Sequence, residues 1–164
     1  MRRIVVLALI ACSAVLAEPA SILLPADGLY RVAPDRAGLL FRQCSRSAPD
    51  PGVDLWLPSS SEIAALETTL RRYLAERKAA RLPTPPEQVE YGRQYVGYTR
   101  NGMRHIYGNF FPRSLWSPAD PLSQHLPNPA ARPVVICDGG PSFWGIVYKP
   151  ATNTFDEPAF NGPL

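Results

Sequence analysis

The stretch VEYGRQYVGYTRNGMRHIYGNFFP, Val89 to Pro112, decides the fold. Apolar and polar residues alternate on both sides of Asn101-Gly102, a pair that tolerates positive φ in a two-residue hairpin turn. The period of two predicts two antiparallel strands, and the turn sets their register. Tyr98 faces His105, Val96 faces Tyr107, Gly97 faces Ile106 and Tyr95 faces Gly108. One face of the hairpin therefore carries Val96, Tyr98, His105 and Tyr107, and the other carries Tyr95, Thr99, Arg104 and Ile106. The glycines stand where a bulky cross-strand neighbour needs room.

Upstream, the period changes. In LPSSSEIAALETTLRRYLAERKAA, Leu57 to Ala80, Ser59 and Glu62 have the spacing of a capping box, in which each side chain satisfies a backbone N–H of the first turn. Ile63, Leu66, Leu70, Tyr73 and Leu74 recur at helical spacing, which predicts one amphipathic helix with a single buried face. Arg77, Lys78 and Arg81 suit the negative end of its dipole, and Pro83, Pro85 and Pro86 stop it. Downstream, a proline-rich connection runs from Pro112 to Pro133; a loop of this length is usually functional or disordered, and its Leu115, Trp116, Leu122 and Leu126 imply that it packs. Three short strands are expected after it, Val134–Cys137, Phe143–Tyr148 and Thr154–Phe160, joined by turns rich in Gly, Pro and Asn.

The fold class that results is α+β: one helix on an antiparallel sheet of about five strands, hairpin plus meander, over residues 59–164. Residues 18–58 read as an extended arm that wraps this domain, with short extended pieces around Gly38–Arg42 and Val53–Leu57. Residues 1–17 read as a secretory signal, with Arg2 and Arg3 ahead of an apolar run that is too short to span a membrane. Ala17 is one processing site. Leu9-Ile10-Ala11-Cys12 instead resembles a bacterial lipobox, which would end the leader at residue 11 and lipidate Cys12. Both place the protein in the cell envelope, in the periplasm or tethered to a membrane.

Cysteine usage agrees with export. With Cys12 cleaved away or lipidated, Cys44 and Cys137 remain, and an oxidising compartment favours their pairing. The bridge would close a loop of roughly ninety residues, worth up to about 4 to 5 kcal/mol in the chain-entropy picture. The charge balance is bland. The 17 Lys and Arg fall to 15 once Arg2 and Arg3 leave with the leader, against 14 Asp and Glu, so no basic face for nucleic acid is expected.

Few residues look catalytic. Asp138-Gly139-Gly140 is followed by Pro141 and a strand-like run, not by the helix that a phosphate cradle requires. His105 and His125 are the only histidines, and no zinc-ligand spacing accompanies them, so neither a metal nor another cofactor is expected. Glu87, Glu90, Asp138 and Asp156 read as solvated charge. The aromatics are more informative, because a single helix covers one face of a sheet. Some of them must lie on the open face or beneath the long loop. Tyr98, His105, Tyr107, Trp144 and Tyr148 are the candidate binding residues, since Tyr and Trp are enriched at binding hot spots.

The segments Gly92-Arg93-Gln94-Tyr95-Val96-Gly97, Tyr107-Gly108-Asn109-Phe110-Phe111-Pro112, Cys137-Asp138-Gly139-Gly140 through Phe143-Trp144-Gly145, and Phe160-Asn161-Gly162 resemble those of a family of small exported bacterial proteins of unknown function. The resemblance covers roughly Trp56 to Gly162. It implies a compartment and a domain and carries over no catalytic residue. At fold level, a helix followed by an antiparallel sheet is similar to cystatin-like and other small inhibitor scaffolds. The expected function is binding a protein partner in the envelope, as an inhibitor or accessory module. The alternatives are an envelope hydrolase using His105 with Asp138 or Cys137, and a module binding peptidoglycan or another glycan through Trp144 and Tyr148. The sequence is silent on oligomeric state.

Overall fold

A computed structural model describes residues 27–163 apart from 53. The leader, its two processing sites and Cys12 lie outside the described residues. Among the described residues, seven strands and one α-helix follow in the order β1 (Leu29–Arg31), β2 (Asp54–Trp56), α1 (Ser60–Ala79), β3 (Tyr91–Arg100), β4 (Met103–Pro112), β5 (Trp144–Lys149), β6 (Thr154–Phe155) and β7 (Ala159–Phe160). The class is α+β with a mostly antiparallel sheet, and the strand count exceeds the expected five.

The hairpin β3–β4 is the centre of the sheet, in the register that Asn101-Gly102 predicts, from Arg100 opposite Met103 to Tyr91 opposite Pro112. Asn101 and Gly102 both take positive φ, 53° and 73°. β5 pairs with the far side of β4, and the short β6 and β7 pair with the two ends of β5. The free side of β3 is shared by β1, which runs parallel to it, and β2, which runs antiparallel. Helix α1 has the expected capping box: Ser59 Oγ accepts from the Glu62 N–H, and the Ser59 N–H donates to Glu62 Oε2 at 2.8 Å. Arg77 does more than face the dipole. It is buried, and its Nε donates to the Pro83 carbonyl at 3.1 Å, folding the segment after the helix back onto α1.

Both faces of the sheet are covered. Ile63, Leu66 and Leu70 of α1 pack on Tyr95, Ile106, Phe110, Trp144, Ile146 and Tyr148. The opposite face receives the arm, where Val32, Ala37 and Leu40 sit on Val96, Tyr98, Tyr107 and Val147. Toward the other end, Trp116, Val134 and Phe143 pack around Phe111 and Tyr30. Of the two expected placements for the surplus aromatics, an open face or cover by the long loop, the structure shows cover, and the arm supplies it together with the loop.

Those segments also differ locally from expectation. Gly38–Arg42 is not extended: residues Ala37–Phe41 form a 3-10 turn that drives Leu40 into the core. Val134–Cys137 forms no strand, because its backbone bonds to side chains instead. Gln94 Oε1 accepts from the Val134 N–H at 2.8 Å, Asn109 Nδ2 donates to the Val134 carbonyl at 2.9 Å, and Asn161 Nδ2 donates to the Ile136 carbonyl at 2.7 Å. Thr154–Phe160 divides into β6 and β7 around Asp156-Glu157-Pro158, since proline has no N–H for the ladder. The Cys44–Cys137 disulfide is present and ties the arm to the loop ahead of β5.

Candidate functional site

The five residues expected to bind are all core residues. Tyr98 and His105 stack on each other at 5.0 Å between ring centroids, and His105 Nδ1 lies 3.0 Å from the Met103 carbonyl. Tyr107 packs under Phe41 of the arm. Burial pushes its phenol above the ordinary value, while the Arg46 guanidinium beside it pulls the other way. Trp144 is 1% exposed and stacks on Phe110 at 3.8 Å, and Tyr148 is buried with its hydroxyl donating to Asn153 Oδ1 at 2.7 Å. Covered ring faces cannot stack on a sugar or anchor a partner directly. Cys137 is oxidised, so its sulfur is no nucleophile. Asp138 occupies a positive-φ turn held by Asn161 and lies toward the Asn109 end of β4. His105 is four residues from Asn109 along that strand, about 13 Å at strand rise. Among the described residues no three His, Cys, Asp or Glu are gathered to hold a metal. Glu87 pairs with Lys78 at 2.7 Å, and Asp156 pairs with Lys149.

Concave surface is concentrated on another side, beside the C-terminal half of α1. A groove of about 560 Å³ lies between α1, the segment 84–90 and the end of the hairpin. Its floor is Leu70, Leu74, Tyr91, Phe110 and Trp144. The helical period turns Leu70, Leu74 and Lys78 to one face, and Tyr91 lines the groove with them. Tyr91 is half-buried, and burial pushes its phenol up to about 12, against the lowering effect of the Trp144 indole N–H. It is a neutral hydroxyl at physiological pH and donates to the Pro86 carbonyl at 3.2 Å. The Trp144 Nε1–H is buried, and its partner is the Tyr91 phenol oxygen, in a geometry short of a well-formed hydrogen bond.

The polar wall is preassembled. Glu67 Oε1 accepts from the buried Tyr95 hydroxyl at 2.6 Å and lies 3.0 Å from Arg93 Nε, while Arg93 Nη2 donates to the Asp27 carbonyl at 2.6 Å. Burial drives the Tyr95 phenol well above its ordinary value, and the Glu67 charge adds to that. Around the groove, Asp27, Glu67, Glu87 and Glu90 stand against Arg71, Lys78, Arg93 and Arg113, so neither sign dominates.

A second, more apolar trough of about 1220 Å³ adjoins it and shares Val89, Glu90 and Arg113 with the first. Its apolar lining comes from the long loop, Leu115, Trp116, Leu122 and Leu126, with Ile136 and Phe143. Leu122 is 56% exposed. The loop packs, as its apolar residues imply, and it leaves part of that apolar surface open.

Sequence reasoning missed a set of buried amides that organises the other face. Gln94 Nε2 donates to the Pro129 and Arg132 carbonyls, both at 2.7 Å, and its Oε1 accepts from Asn109 Nδ2 at 3.1 Å. Arg46 of the arm donates to Asn109 and Asn161. These amides replace a ladder for chain that has none, and they fall inside the segments GRQYVG, YGNFFP and FNG. A polar residue at an inward position of an apolar strand was the available signal. Comparison with known proteins yields no match: no family model, curated protein or solved structure is significantly similar to this chain.

Proposed function

We propose that this is an exported envelope protein that binds another protein through the groove beside α1 and the trough that continues it. The observation that carries the reading is the continuity of the two concavities, one half-apolar and one mostly apolar, on a body whose other aromatic surface is already covered. Exposed apolar surface rimmed by polar residues marks interaction sites. The disulfide fits an oxidising compartment, and no helix among the described residues is long and apolar enough to cross a membrane. The periplasm, or a lipid tether at Cys12, follows from the leader and is part of this proposal, as is the family of small exported proteins that the quoted segments resemble.

The test is capture from envelope extract by tagged protein, with Val89→Asp/Leu122→Asp as the control. Val89 is half-exposed and Leu122 exposed, so neither replacement puts a charge into the core, and an unchanged far-ultraviolet circular dichroism spectrum checks the fold of the control. One partner at near-equal amount, depleted in the control, is the expected result. No partner above background would count against the reading. A Cys12→Ala change that leaves membrane fractionation unaltered would remove the lipid tether and return the processing site to Ala17.

A further inference from the structure

We infer that the Cys44–Cys137 bridge is a redox switch on the apolar trough. It opens by exchange with a dithiol while the protein stays folded, and opening loosens one wall of the trough. This rests on the protein-binding reading above and names the regulation of the same site. Three observations carry it. Both cysteines are exposed, and neither belongs to an apolar cluster. Cysteine is ordinarily among the most buried residues, and exposed bridges are the ones open to exchange.

The second observation is that other bonds hold the chain on both sides of the bridge. Asn161 Nδ2 donates to the carbonyls of Ile136 and Asp138, and the Gly140 N–H donates to the Gly162 carbonyl at 3.0 Å. On the arm, Arg46 donates to Asn161 Oδ1, and Ser45 Oγ accepts from the Gly162 N–H at 2.9 Å. Asn161 and Gly162 therefore keep the arm on the loop ahead of β5 when the sulfurs part. The third observation is that the turn after Cys137 is strained and belongs to the trough. Asp138, Gly139 and Gly140 all take positive φ, 72°, 85° and 64°, and of the three only Asp138 has a side chain that disfavours it. Ile136, Gly139 and Phe143 line the trough, and a Cβ on Gly139 would stand 2.5 Å from Phe143 Cδ2. The bridge fixes Cys137 between these lining residues. Without it the turn relaxes and the Phe143 ring follows, so the bridged form is the preorganised, binding form.

The exchange is balanced. One thiolate of the dithiol attacks Cys44 Sγ, the Cys44–Cys137 bond breaks, and Cys137 leaves as a thiolate that takes a proton from water. Attack falls on Cys44 because the Asp138 carboxylate, next to Cys137, opposes an approaching anion. The second sulfur of the dithiol then displaces Cys44, which is protonated in turn. The dithiol is oxidised to a disulfide, and the protein gains two electrons and two protons.

The experiment treats the intact protein with dithiothreitol. Alkylation should then count two new thiols while the far-ultraviolet circular dichroism spectrum stays unchanged. In a methyl ¹H–¹³C spectrum, Leu115 and Leu126, which line the trough but lie far from the bridge in sequence, should move on reduction. Anilinonaphthalene sulfonate, an apolar dye whose binding Leu122→Asp should weaken, should bind the reduced form several-fold more weakly. Asp138→Gly, which tolerates positive φ, should shift the equilibrium with dithiothreitol toward the bridged form by about five-fold. A bridge that opens only in denaturant, unfolding on opening, unmoved leucine methyls, unweakened dye binding, or an unshifted Asp138→Gly equilibrium would each overturn the inference. None of these readouts needs the partner. Equal capture of a partner by bridged and reduced protein would remove the switch and leave the binding module standing, whereas no capture by either would remove the binding reading itself.

Discussion

Replacing Gly97 with alanine adds one methyl group where the Trp56 indole lies flat across β3. The new Cβ would come within 2.2 Å of Trp56 Cδ2 and 2.3 Å of Cε2, where carbon contacts settle near 3.5 to 4.0 Å. The ring must therefore retreat by more than about 1 Å from its present contact. Its far face is occupied, because the Arg104 guanidinium lies 3.6 Å from the ring centroid and Arg104 Nη1 is held 3.0 Å from Glu62 Oε1. Glu62 in turn closes the capping box of α1. Overpacking of this kind costs about 1 to 3 kcal/mol, and a disturbed cation–π contact adds about 0.5 to 1 kcal/mol. A loss of about 2 to 3 kcal/mol is expected in urea unfolding followed by far-ultraviolet circular dichroism. Trp56→Ala removes the obstruction, and in that background Gly97→Ala should stabilise by about 0.5 to 1 kcal/mol through reduced chain entropy. The sign of the effect thus reverses, with a coupling of about 3 kcal/mol. Equal effects in the two backgrounds would refute the argument that Gly97 exists to seat Trp56.

Other consequences are equally direct. Cys44→Ser/Cys137→Ser opens a 93-residue span and should lower stability by up to about 4 to 5 kcal/mol, while the native protein should resist thiol reagents until it is reduced. Gln94→Ala deprives two carbonyls, the Val134 N–H and Asn109 of partners. It should cost about 3 kcal/mol, with faster hydrogen exchange at Val134 as its local signature. Ser59→Ala should cost about 1 kcal/mol of helix capping. It should also flatten the acid limb of stability: burial alone would raise the Glu62 carboxyl, but its bonds from Ser59 and the Arg104 charge outweigh burial and lower it below 4.5. A depressed carboxyl stabilises above its unfolded pKa and loses that contribution as pH falls through the folded one. The native protein should therefore lose more stability than Ser59→Ala on acidification from pH about 5 to 3, and parallel curves would remove Glu62 from the account.

Much of the architecture was legible because it is local. Asn101-Gly102 dictates a turn, the turn dictates a register, and Ser59 with Glu62 dictates where α1 begins. The second layer was legible only in outline, as an arm that wraps and a loop that packs, since Val32, Leu40, Trp116 and Val134 lie in chain without periodicity to say where each is buried. Their burial depends on Gln94, Asn109 and Asn161 supplying hydrogen bonds that no pattern announces. For the same reason Tyr98, Tyr107, Trp144 and Tyr148 read as available aromatics, and the structure covers them. The groove was invisible for a different cause: it is bounded by residues from α1, the segment 84–90 and the end of the hairpin, which only packing brings together.

Alternation, capping and turn chemistry by themselves determined the helix, the hairpin and its register, and cysteine arithmetic determined the Cys44–Cys137 bridge. These act over a few residues or, for the bridge, by elimination. Tertiary structure alone decided that both sheet faces are covered and that the open concavity lies beside Tyr91 and Leu122. The physical reason is that irregular chain can be buried only where buried amides satisfy its backbone, and their partners are set by three-dimensional proximity rather than by spacing.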